Sequence, residues 1–339
     1  MTVRVSAASP RATFLDPADE AVRRDWADLL ERSEQATPFS TLAYAEAVRD
    51  VLGLDYRLAG VYDNDSDGER LIGGVLCYEK PLGPYRRVVV PPLTAYTSFL
   101  FDPPLRETDI NHRRSPLDAL IELLEEHYHA LSFLLHPSLS DVRAFQWAGW
   151  QVTPRYTQRL PLDTSTEVHA GWSSSTRRAF RKHDSSFPVE TRASERTARQ
   201  AADLCAASYA RHDDTPPLPP ERMAAFARRL QETGLVRFFR VRNQKVNEIE
   251  GALAALHDED AAYYWLVGSR PGPAMTVLLG AALRDLVGDG LSQFDFVGAN
   301  TPSITEFKRR FGPELISYFR VEHATRPEMH LLDTVRRLR

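Results

Sequence analysis

The alternation of apolar and polar positions divides the chain into two halves with a similar series of elements. In the first half, apolar residues recur every three or four positions in two segments, a period typical of amphipathic helices. Apolar runs bounded by polar turns and Pro-Gly pairs then predict an antiparallel meander. A helix, a strand, a short helix and a strand complete the half. The predicted elements span residues 19–35, 38–53, 55–63, 70–80, 85–90, 115–131, 132–137, 141–150 and 151–163.

The second half repeats this order. A helix, a strand and two helices precede a second meander, which leads to a helix, a strand, a short helix and a last strand. These elements are predicted over residues 172–184, 187–193, 195–213, 219–234, 235–243, 249–259, 261–269, 274–290, 292–298, 303–312 and 314–324. The repetition predicts an α/β (α+β) fold of two tandem domains, each a mixed, largely antiparallel sheet flanked by helices. We place the domains at residues 1–165 and 166–339.

The last short helices of the two halves are the most similar segments. AFQWAGW, around Phe145, and EFKRRFG, around Phe307, each carry an aromatic residue on a helix and then a glycine beside another aromatic residue. When the two segments are aligned with Phe145 at the position of Phe307, Gln146 falls at the position of Lys308. Lysine occurs only four times among the 42 basic residues, so Lys308 stands out as a candidate for function.

The composition is that of an ordinary globular protein, with 43% hydrophobic and 10% aromatic residues. At 339 residues, the chain exceeds the usual size of a single hydrophobic core, which agrees with two domains. The formal net charge is -4 and no long block of like charge occurs, so the sequence predicts no DNA partner.

Cysteine and histidine usage predicts no metal site. Cys77 and Cys205 are isolated, as expected in a reducing compartment. His183, His212 and His257 have a side chain suited to general-base catalysis, but none belongs to a metal-binding or triad pattern. The N-terminal segment lacks the apolar core of a signal peptide, and no apolar run reaches about 18 residues. We therefore expect a soluble, cytoplasmic protein without a transmembrane segment.

Three segments resemble motifs of one group of transferases. WSSSTRRAFRKHDSSFPVE (172–190) is similar to the segment that opens the second domain of FemABX-type peptidyltransferases and their CelD/BioF2-like relatives. PFSTLAYAEAV (38–48) resembles the early first-domain motif, with Tyr44 where a tryptophan is common. FDFVGANTPSITEFKRRFG (294–312) resembles the C-terminal signature. The resemblance implies two tandem domains of the GCN5-related N-acetyltransferase (GNAT) fold.

The resemblance also implies acyl transfer. Some members move an aminoacyl group from charged tRNA onto a peptidoglycan precursor, and others use acyl donors for polysaccharide or lipid products. We therefore expect no permanently bound cofactor and a donor that is a co-substrate, either aminoacyl-tRNA or acyl-CoA. The expected partners are an anionic small molecule or cell-envelope precursor as acceptor, and charged tRNA.

Two departures from the family pattern bear on the donor. Relatives that use acyl-CoA carry a glycine-rich loop whose backbone N–H groups hold the pyrophosphate at a helix N-terminus. The corresponding SRPGPAMTVLL has Arg270, Gly272 and Ala274 out of register, and Pro271 and Pro273 supply no N–H group. This disfavours acyl-CoA. The chain also lacks the long helical arm that many tRNA-dependent members insert in the second domain.

Lys308, Asp295 and Tyr264 are the candidate catalytic residues. Acyl transfer passes through a tetrahedral oxyanion that a fixed cation stabilises, and the resemblance implies such a role for Lys308. The alternative is a solvent-facing lysine on a basic helix. Strand alternation points Asp295 away from Phe294 and Phe296, either toward an acceptor or into a structural salt bridge. Tyr264 lies at the groove in which family members bind substrate, or is a core residue.

The candidate substrate-binding residues are Arg177, Arg178, Arg181, Asn300, Tyr209 and Arg211. The first three form a basic helix face that fits a phosphate group or is a solvated surface. The asparagine lies in the turn after a strand, where it contacts substrate or is simply part of a loop that serves to cap the next helix through Thr301 or Ser303. The last two precede a proline-rich loop and are expected at the acceptor site.

These observations predict an acyl- or aminoacyl-transferase that forms an amide or ester on a cell-envelope precursor or a small molecule. Two alternatives stay open. One is an acyl-CoA-dependent N-acyltransferase. The other is a non-catalytic GNAT-fold protein that binds a nucleotide-sugar, a lipid or a protein partner.

Overall fold

A computed structural model describes residues 10–65, 68–163, 167–191, 194–211 and 213–325. His212, the first nine residues and residues 164–166 of the predicted boundary lie outside this part. The strands are β1 (Arg11–Leu15), β2 (Asp55–Asp65), β3 (Gly68–Glu79), β4 (Phe99–Phe101), β5 (Ala130–Leu134), β6 (Gln151–Pro161), β7 (Val189–Thr191), β8 (Val236–Asn243), β9 (Glu248–His257), β10 (Ala261–Ser269), β11 (Gln293–Asp295) and β12 (Glu314–Ala324). The helices are α1 (Glu20–Arg32), α2 (Leu42–Ala47), α3 (Glu107–Asn111), α4 (Pro116–His127), α5 (Arg143–Trp147), α6 (Ser174–His183), α7 (Glu195–Ala210), α8 (Pro220–Glu232), α9 (Ala274–Gly288) and α10 (Pro302–Arg309).

The described chain forms two compact units that interleave along the sequence. The first takes the described residues up to Ala45, then Leu54–Pro154 and the described residues from Tyr318 onward. The second takes Glu46–Gly53 and Arg155–Ser317. The chain therefore changes unit four times, within α2, just before β2, within β6 and within β12. The boundary between residues 165 and 166 stays a prediction about the two sequence copies.

The first unit contains a four-stranded antiparallel sheet in the order β1-β2-β3-β4. A Cβ added at Gly73 would meet Pro116 of α4, and one added at Gly74 would meet Trp26 of α1. Because neighbouring strand residues face opposite ways, α1 and α4 cover opposite faces of this sheet. In the same unit, β5 pairs antiparallel with the last residues of β12.

The start of α4 agrees with its sequence. Ser115 and Asp118 form a reciprocal capping box, and Pro116 occupies the first turn, where its missing N–H group leaves no hydrogen bond unmade. Elsewhere, the predicted helix over 38–53 is divided into a 3-10 turn, α2 and a π-helical turn over Val48–Leu52.

The predicted strand over residues 85–90 is wrong. This segment makes only isolated bridges, in which Val89 donates to the Tyr78 carbonyl and Val88 donates to the Ala130 carbonyl. Prolines on both sides of the segment cannot donate to a ladder, which keeps it from extending. The strand beside β3 is instead β4, which the sequence analysis left without an element, as it did β1 and α3.

The second unit contains strands in the order β6-β11-β10-β9-β8-β7. β8, β9 and β10 form the predicted antiparallel meander, and α9 connects β10 to the parallel strand β11. A Cβ added at Gly268 would meet the backbone of α7, whereas one added at Gly251 would meet Leu278 of α9. Since Gly251 pairs with Ser269, the neighbour of Gly268, α7 and α9 cover opposite faces.

An apolar core fills the α9 side of this sheet. It packs Phe180 of α6 and Leu278 of α9 against Phe294 of β11 and Phe311, just after α10. Among the described helices, none combines the length and the apolar character needed to cross a membrane.

Candidate functional site

The strands β10 and β11 part at the middle of the second unit. They pair over three residues only, from Ala261 with Gln293 to Tyr263 with Asp295. β11 ends there, whereas β10 continues to Ser269 and carries a bulge between Tyr264 and Leu266. Beyond Tyr263 the two strands no longer pair, and we call the region between the rest of β10 and the turn that follows β11 the opening.

Lys308 lies on α10 and reaches back to this turn. Its side chain is only 3% exposed, and Nζ donates to the carbonyls of Val297 and Gly298, at 2.7 Å each. Both residues have a positive φ, 50° and 74°, which brings two successive carbonyls within reach of one amine. The structure thus excludes the solvent-facing alternative and shows that Lys308 stabilises the turn.

The amine of Lys308 has a shifted ionisation. Burial lowers its pKa to about 8, and the nearby Asp295 carboxylate opposes this by raising it. A pKa of about 8 leaves the amine mainly protonated at neutral pH. An ammonium group has three N–H donors, and the third has no partner among the described residues. The site therefore holds a buried cation with one N–H group to offer.

Tyr264, on β10, lies next to the amine of Lys308. Its ring centroid is 5.5 Å from Nζ of Lys308, a cation–π arrangement, and 5.8 Å from the ring of Phe296. Its hydroxyl is 3.6 Å from Sδ of Met275, a weak acceptor. Burial raises the pKa of the phenol, so Tyr264 stays neutral. A catalytic role for Tyr264 stays a prediction.

Asp295 is buried and uses both carboxylate oxygens within the protein. Oδ1 accepts from the Thr157 hydroxyl at 2.5 Å and from the Val297 N–H group at 2.8 Å. Oδ2 accepts from Nε of Arg159 at 3.0 Å. These bonds join β6 to β11 and shape the turn that Lys308 binds, as the structural salt-bridge alternative requires. Direct participation of Asp295 in catalysis stays a prediction.

Asn300 is bonded to the backbone of β6. Its Oδ1 accepts from the Tyr156 N–H group and its Nδ2 donates to the Tyr156 carbonyl, each at 3.1 Å. The cap of α10 is Thr301, whose side chain makes no capping bond. Asn300 therefore fixes the loop before α10, and substrate contact by its side chain stays a prediction.

Arg177, Arg178 and Arg181 lie on α6, which contains no acidic residue. Arg177 donates to the Ala170 carbonyl at 2.8 Å, and the other two are exposed, with no salt bridge in the described part of the chain. The N–H group of Ser173, the N-cap of α6, donates to the Arg310 carbonyl just after α10. The basic face thus belongs to a helix attached to the element that carries Lys308.

Tyr209 and Arg211 lie at the end of α7. Arg211 donates to the Ser269 carbonyl at 2.6 Å, which joins the end of α7 to the end of β10. Tyr209 is half-buried, and burial raises the pKa of its phenol. The loop after β10 offers few donors, because Pro271 and Pro273 have no N–H group and Arg270 pairs with Glu248.

Two kinds of residue at this site were not predicted from the sequence. Thr157 and Arg159, which hold Asp295, lie on β6, more than 130 positions away along the chain. Gln158, between them, is buried without a described partner, and a polar residue at an inward position of a strand was the available signal. Within the described chain, no group of three or more His, Cys, Asp or Glu side chains could hold a metal ion.

Comparison with known proteins bears on the fold. A family model described as acetyltransferase (GNAT) domain matches residues 172–309. The crystal structure of FemX matches with a TM-score of 0.72 at 12% identity, covering 95% of this chain and 99% of that one. A tandem GNAT protein from the clavulanic acid biosynthesis pathway gives a TM-score of 0.57 at 15% identity, covering 94% and 99%. The structure of L-PGS from Bacillus licheniformis gives 0.52 at 13% identity, covering 94% and 96%.

No curated protein matches the chain. At identities this low, the structural likeness shows the fold, and it confirms the predicted one. The chain has a tandem GNAT-like architecture, as its structural matches to FemX and to the tandem GNAT protein of the clavulanic acid pathway indicate. The matched GNAT domain contains β10, β11 and α10, so Lys308 and Tyr264 lie inside it. This match supports acyl transfer as the class of reaction.

Proposed function

We propose that the second unit transfers an acyl or aminoacyl group to an amine or hydroxyl, with Lys308 at the reacting centre. The observation that carries this proposal is the buried ammonium group at the opening between β10 and β11. The acceptor's amine or hydroxyl attacks the donor carbonyl and produces a tetrahedral oxyanion. Its collapse breaks the ester or thioester bond and expels the ribose hydroxyl of tRNA or the thiol of coenzyme A, which takes up a proton equivalent to the one that the nucleophile loses. The uncommitted N–H group of Lys308 donates to that oxygen, and its positive charge stabilises the transition state more than the neutral ground state.

The surrounding residues hold Lys308 in place. The carbonyls of Val297 and Gly298 fix the direction of the amine. Asp295 holds the turn that carries these carbonyls by accepting a hydrogen bond from the Val297 N–H group. A cation that is already oriented needs little rearrangement when charge develops on the substrate. Asp295 and Asn300 thus serve the site by shaping the loop whose Val297 and Gly298 carbonyls accept hydrogen bonds from Lys308.

The donor that fits this site better is aminoacyl-tRNA, with acyl-CoA as the second candidate. The loop after β10 has two prolines where a pyrophosphate needs N–H groups, and its arginine is already paired. The basic face of α6 offers unpaired guanidinium groups for backbone phosphates. The motif resemblance to FemABX-type enzymes favours an anionic cell-envelope precursor as acceptor and a cytoplasmic site of action.

The test combines donors, an acceptor and two lysine variants. Alanyl-tRNA and acetyl-CoA are each incubated with a UDP-linked peptidoglycan precursor, and the product is followed by mass spectrometry. The wild type should transfer from at least one donor, and Lys308→Met should lower kcat by about 100-fold or more, as loss of one oxyanion donor does. Lys245→Met changes an exposed lysine of the β8–β9 turn and should leave kcat unchanged.

Folding is checked by circular dichroism, and donor binding by thermal shift. Full activity of a folded Lys308→Met protein would remove the lysine from the mechanism. Transfer from acetyl-CoA alone would establish the second donor candidate, and binding of the precursor without any transfer would favour the non-catalytic alternative.

A further inference from the structure

Gln158 is a buried polar residue without a partner. Its side chain is 3% exposed, and its Oε1 makes no hydrogen bond within the described chain. Its Nε2 donates no hydrogen bond to the described residues either. Buried side-chain amides are almost always hydrogen-bonded, because a desolvated carbonyl or N–H group without a partner is destabilising.

The register of β6 and β11 places Gln158 on the side of the sheet that carries Lys308. Leu160 pairs with Phe294, and the Phe296 N–H group donates to the Gln158 carbonyl, so Gln158 lies opposite Phe296. Residues directly opposite in an antiparallel pair project from the same face. Phe296 contacts the ring of Tyr264, and that ring faces the amine of Lys308.

The neighbours of Gln158 along β6 face the other way. Thr157 and Arg159 bind the carboxylate of Asp295, and both therefore project from the opposite side of the strand. Gln158 takes no part in that salt bridge. Its surroundings are apolar, because the residues on its face include Leu160, Phe294 and Phe296 of the core.

A second buried glutamine shows what a purely structural amide looks like in this chain. Gln35 is 5% exposed, and its Oε1 accepts from the Ser33 hydroxyl at 3.1 Å. Gln35 thus recovers part of the free energy lost on burial, whereas Gln158 recovers none from the described protein. A group that is destabilising in the free protein but satisfied in a complex is typical of a binding site.

We infer that Gln158 is a specificity-determining residue whose Oε1 accepts a hydrogen bond from an N–H or O–H group of the acyl donor, close to the transferred carbonyl. This inference rests on the proposed function, since it requires that an acyl group enter the opening beside Tyr264 and Lys308. A donor group on the substrate satisfies Oε1, whereas a methyl group in its place leaves the amide unpaired. The site therefore selects acyl groups with a hydrogen-bond donor over apolar ones of equal size.

Glycyl and propionyl groups test this selection, because they differ only in an amino group against a methyl group. Each is presented on tRNA and on coenzyme A, with the UDP-linked precursor as acceptor. We expect the wild type to prefer glycyl by about tenfold or more in kcat/KM. Gln158→Met, which has similar length and no acceptor oxygen, should transfer both groups at nearly equal rates.

Thermal stability provides the second readout, with Gln35→Met as the matched control. Removing an unsatisfied amide should raise Tm by about 2 °C or more in Gln158→Met, whereas removing a bonded one should lower Tm in Gln35→Met. Gln158→Leu repeats the measurement in case methionine packs poorly.

Three outcomes would overturn the inference. A wild type that transfers both groups equally has no such selection. Retention of the glycyl preference by both Gln158 variants would show that another residue makes it. A fall of Tm in both variants as large as in Gln35→Met would show that Gln158 is satisfied inside the protein. Absence of transfer from every donor would instead contradict the proposed function, and the inference would fall with it.

Discussion

Lys308 shows at the scale of a residue how burial and hydrogen bonding create a usable charge. The amine is nearly inaccessible, yet it remains mainly protonated because two carbonyls and the Asp295 carboxylate favour the cation. Its pKa of about 8 lies close enough to neutrality to be seen in kinetics. A surface lysine, with an ordinary pKa of 10.5, would titrate outside the range in which most enzymes are assayed.

The lowered pKa predicts a pH dependence. If the protonated amine stabilises the oxyanion, kcat/KM for transfer should fall as pH rises through about 8, by about tenfold per unit beyond it. Initial rates between pH 6 and 10 would measure this limb. In Lys308→Arg, the guanidinium stays protonated throughout, so any remaining activity should lack the falling limb. A limb that persists in Lys308→Arg would assign the ionisation to another group.

Folding stability should depend on pH in the opposite direction. Between about 8 and the ordinary lysine value of 10.5, the folded protein has lost the Lys308 proton and the unfolded chain still holds it. The unfolded state then binds more protons, so the contribution of Lys308 to the free energy of unfolding rises with pH across this window. Parallel melts of the Lys308→Met protein separate this contribution from those of other groups.

The residues around Lys308 mark the limit of what the sequence could show. The rarity of lysine and the match of Gln146 with Lys308 single out the position without any coordinates. The partners of Asp295 and Asn300 could not be predicted, because Thr157, Arg159 and Tyr156 lie on a strand far away in sequence. Only the pairing of β6 with β11 brings them together, and periodicity does not report strand neighbours.

At the scale of elements, the crossing of α7 over β10 positions one border of the site. A Cβ added at Gly268 would lie 2.2 Å from the carbonyl group of Leu204 and 2.4 Å from the Cys205 nitrogen, both in the α7 backbone. Only a glycine lets the helix approach this closely. The same helix ends at Arg211, which donates to the carbonyl of Ser269 next to Gly268.

Gly268→Ala should therefore be strongly destabilising. Backbone atoms cannot move aside as a flexible side chain does, so we expect a loss of about 3 kcal/mol or more in the free energy of unfolding. Gly288→Ala is the control, because Gly288 ends α9 and its added Cβ would meet nothing within 4 Å. That change should be neutral or slightly stabilising. Urea titrations compare the two, and equal midpoints would contradict the close approach.

The helices and strands were predictable where the periodic spacing of apolar residues extends over enough positions to be recognised. The meander β8-β9-β10, the helix α4 and the helix α9 follow directly from apolar spacing and caps. The short strands β1 and β4 were missed, because three to five residues establish no period of two. The equally short β7 and β11 were found only as parts of longer segments predicted as strands. The segment 85–90 was apolar enough for a strand, but its flanking prolines prevented a ladder.

At the scale of the whole molecule, the two units interleave instead of following one another. Strand β6 ends the first sequence copy, yet its residues from Arg155 onward belong to the second unit. There, β6 pairs with β11 and supplies the side chain that neutralises the buried Asp295. A division of the chain at residue 165 would therefore remove from the second unit the strand on which its candidate site depends.

This dependence predicts how fragments of the chain behave. Residues 166–317 lack β6, so the carboxylate of Asp295 loses Thr157 and Arg159, and one edge of β11 is left unpaired. Loss of the partner of a buried charge is destabilising by about 3 to 5 kcal/mol, which approaches the total stability of many domains. Residues 151–317 retain β6, and they should unfold in a cooperative transition that residues 166–317 lack. Thermal melts followed by circular dichroism compare the two fragments. A cooperative transition of residues 166–317 at an equal Tm would contradict this prediction. It would show that the second sequence copy folds without β6, as a domain boundary at residue 165 requires.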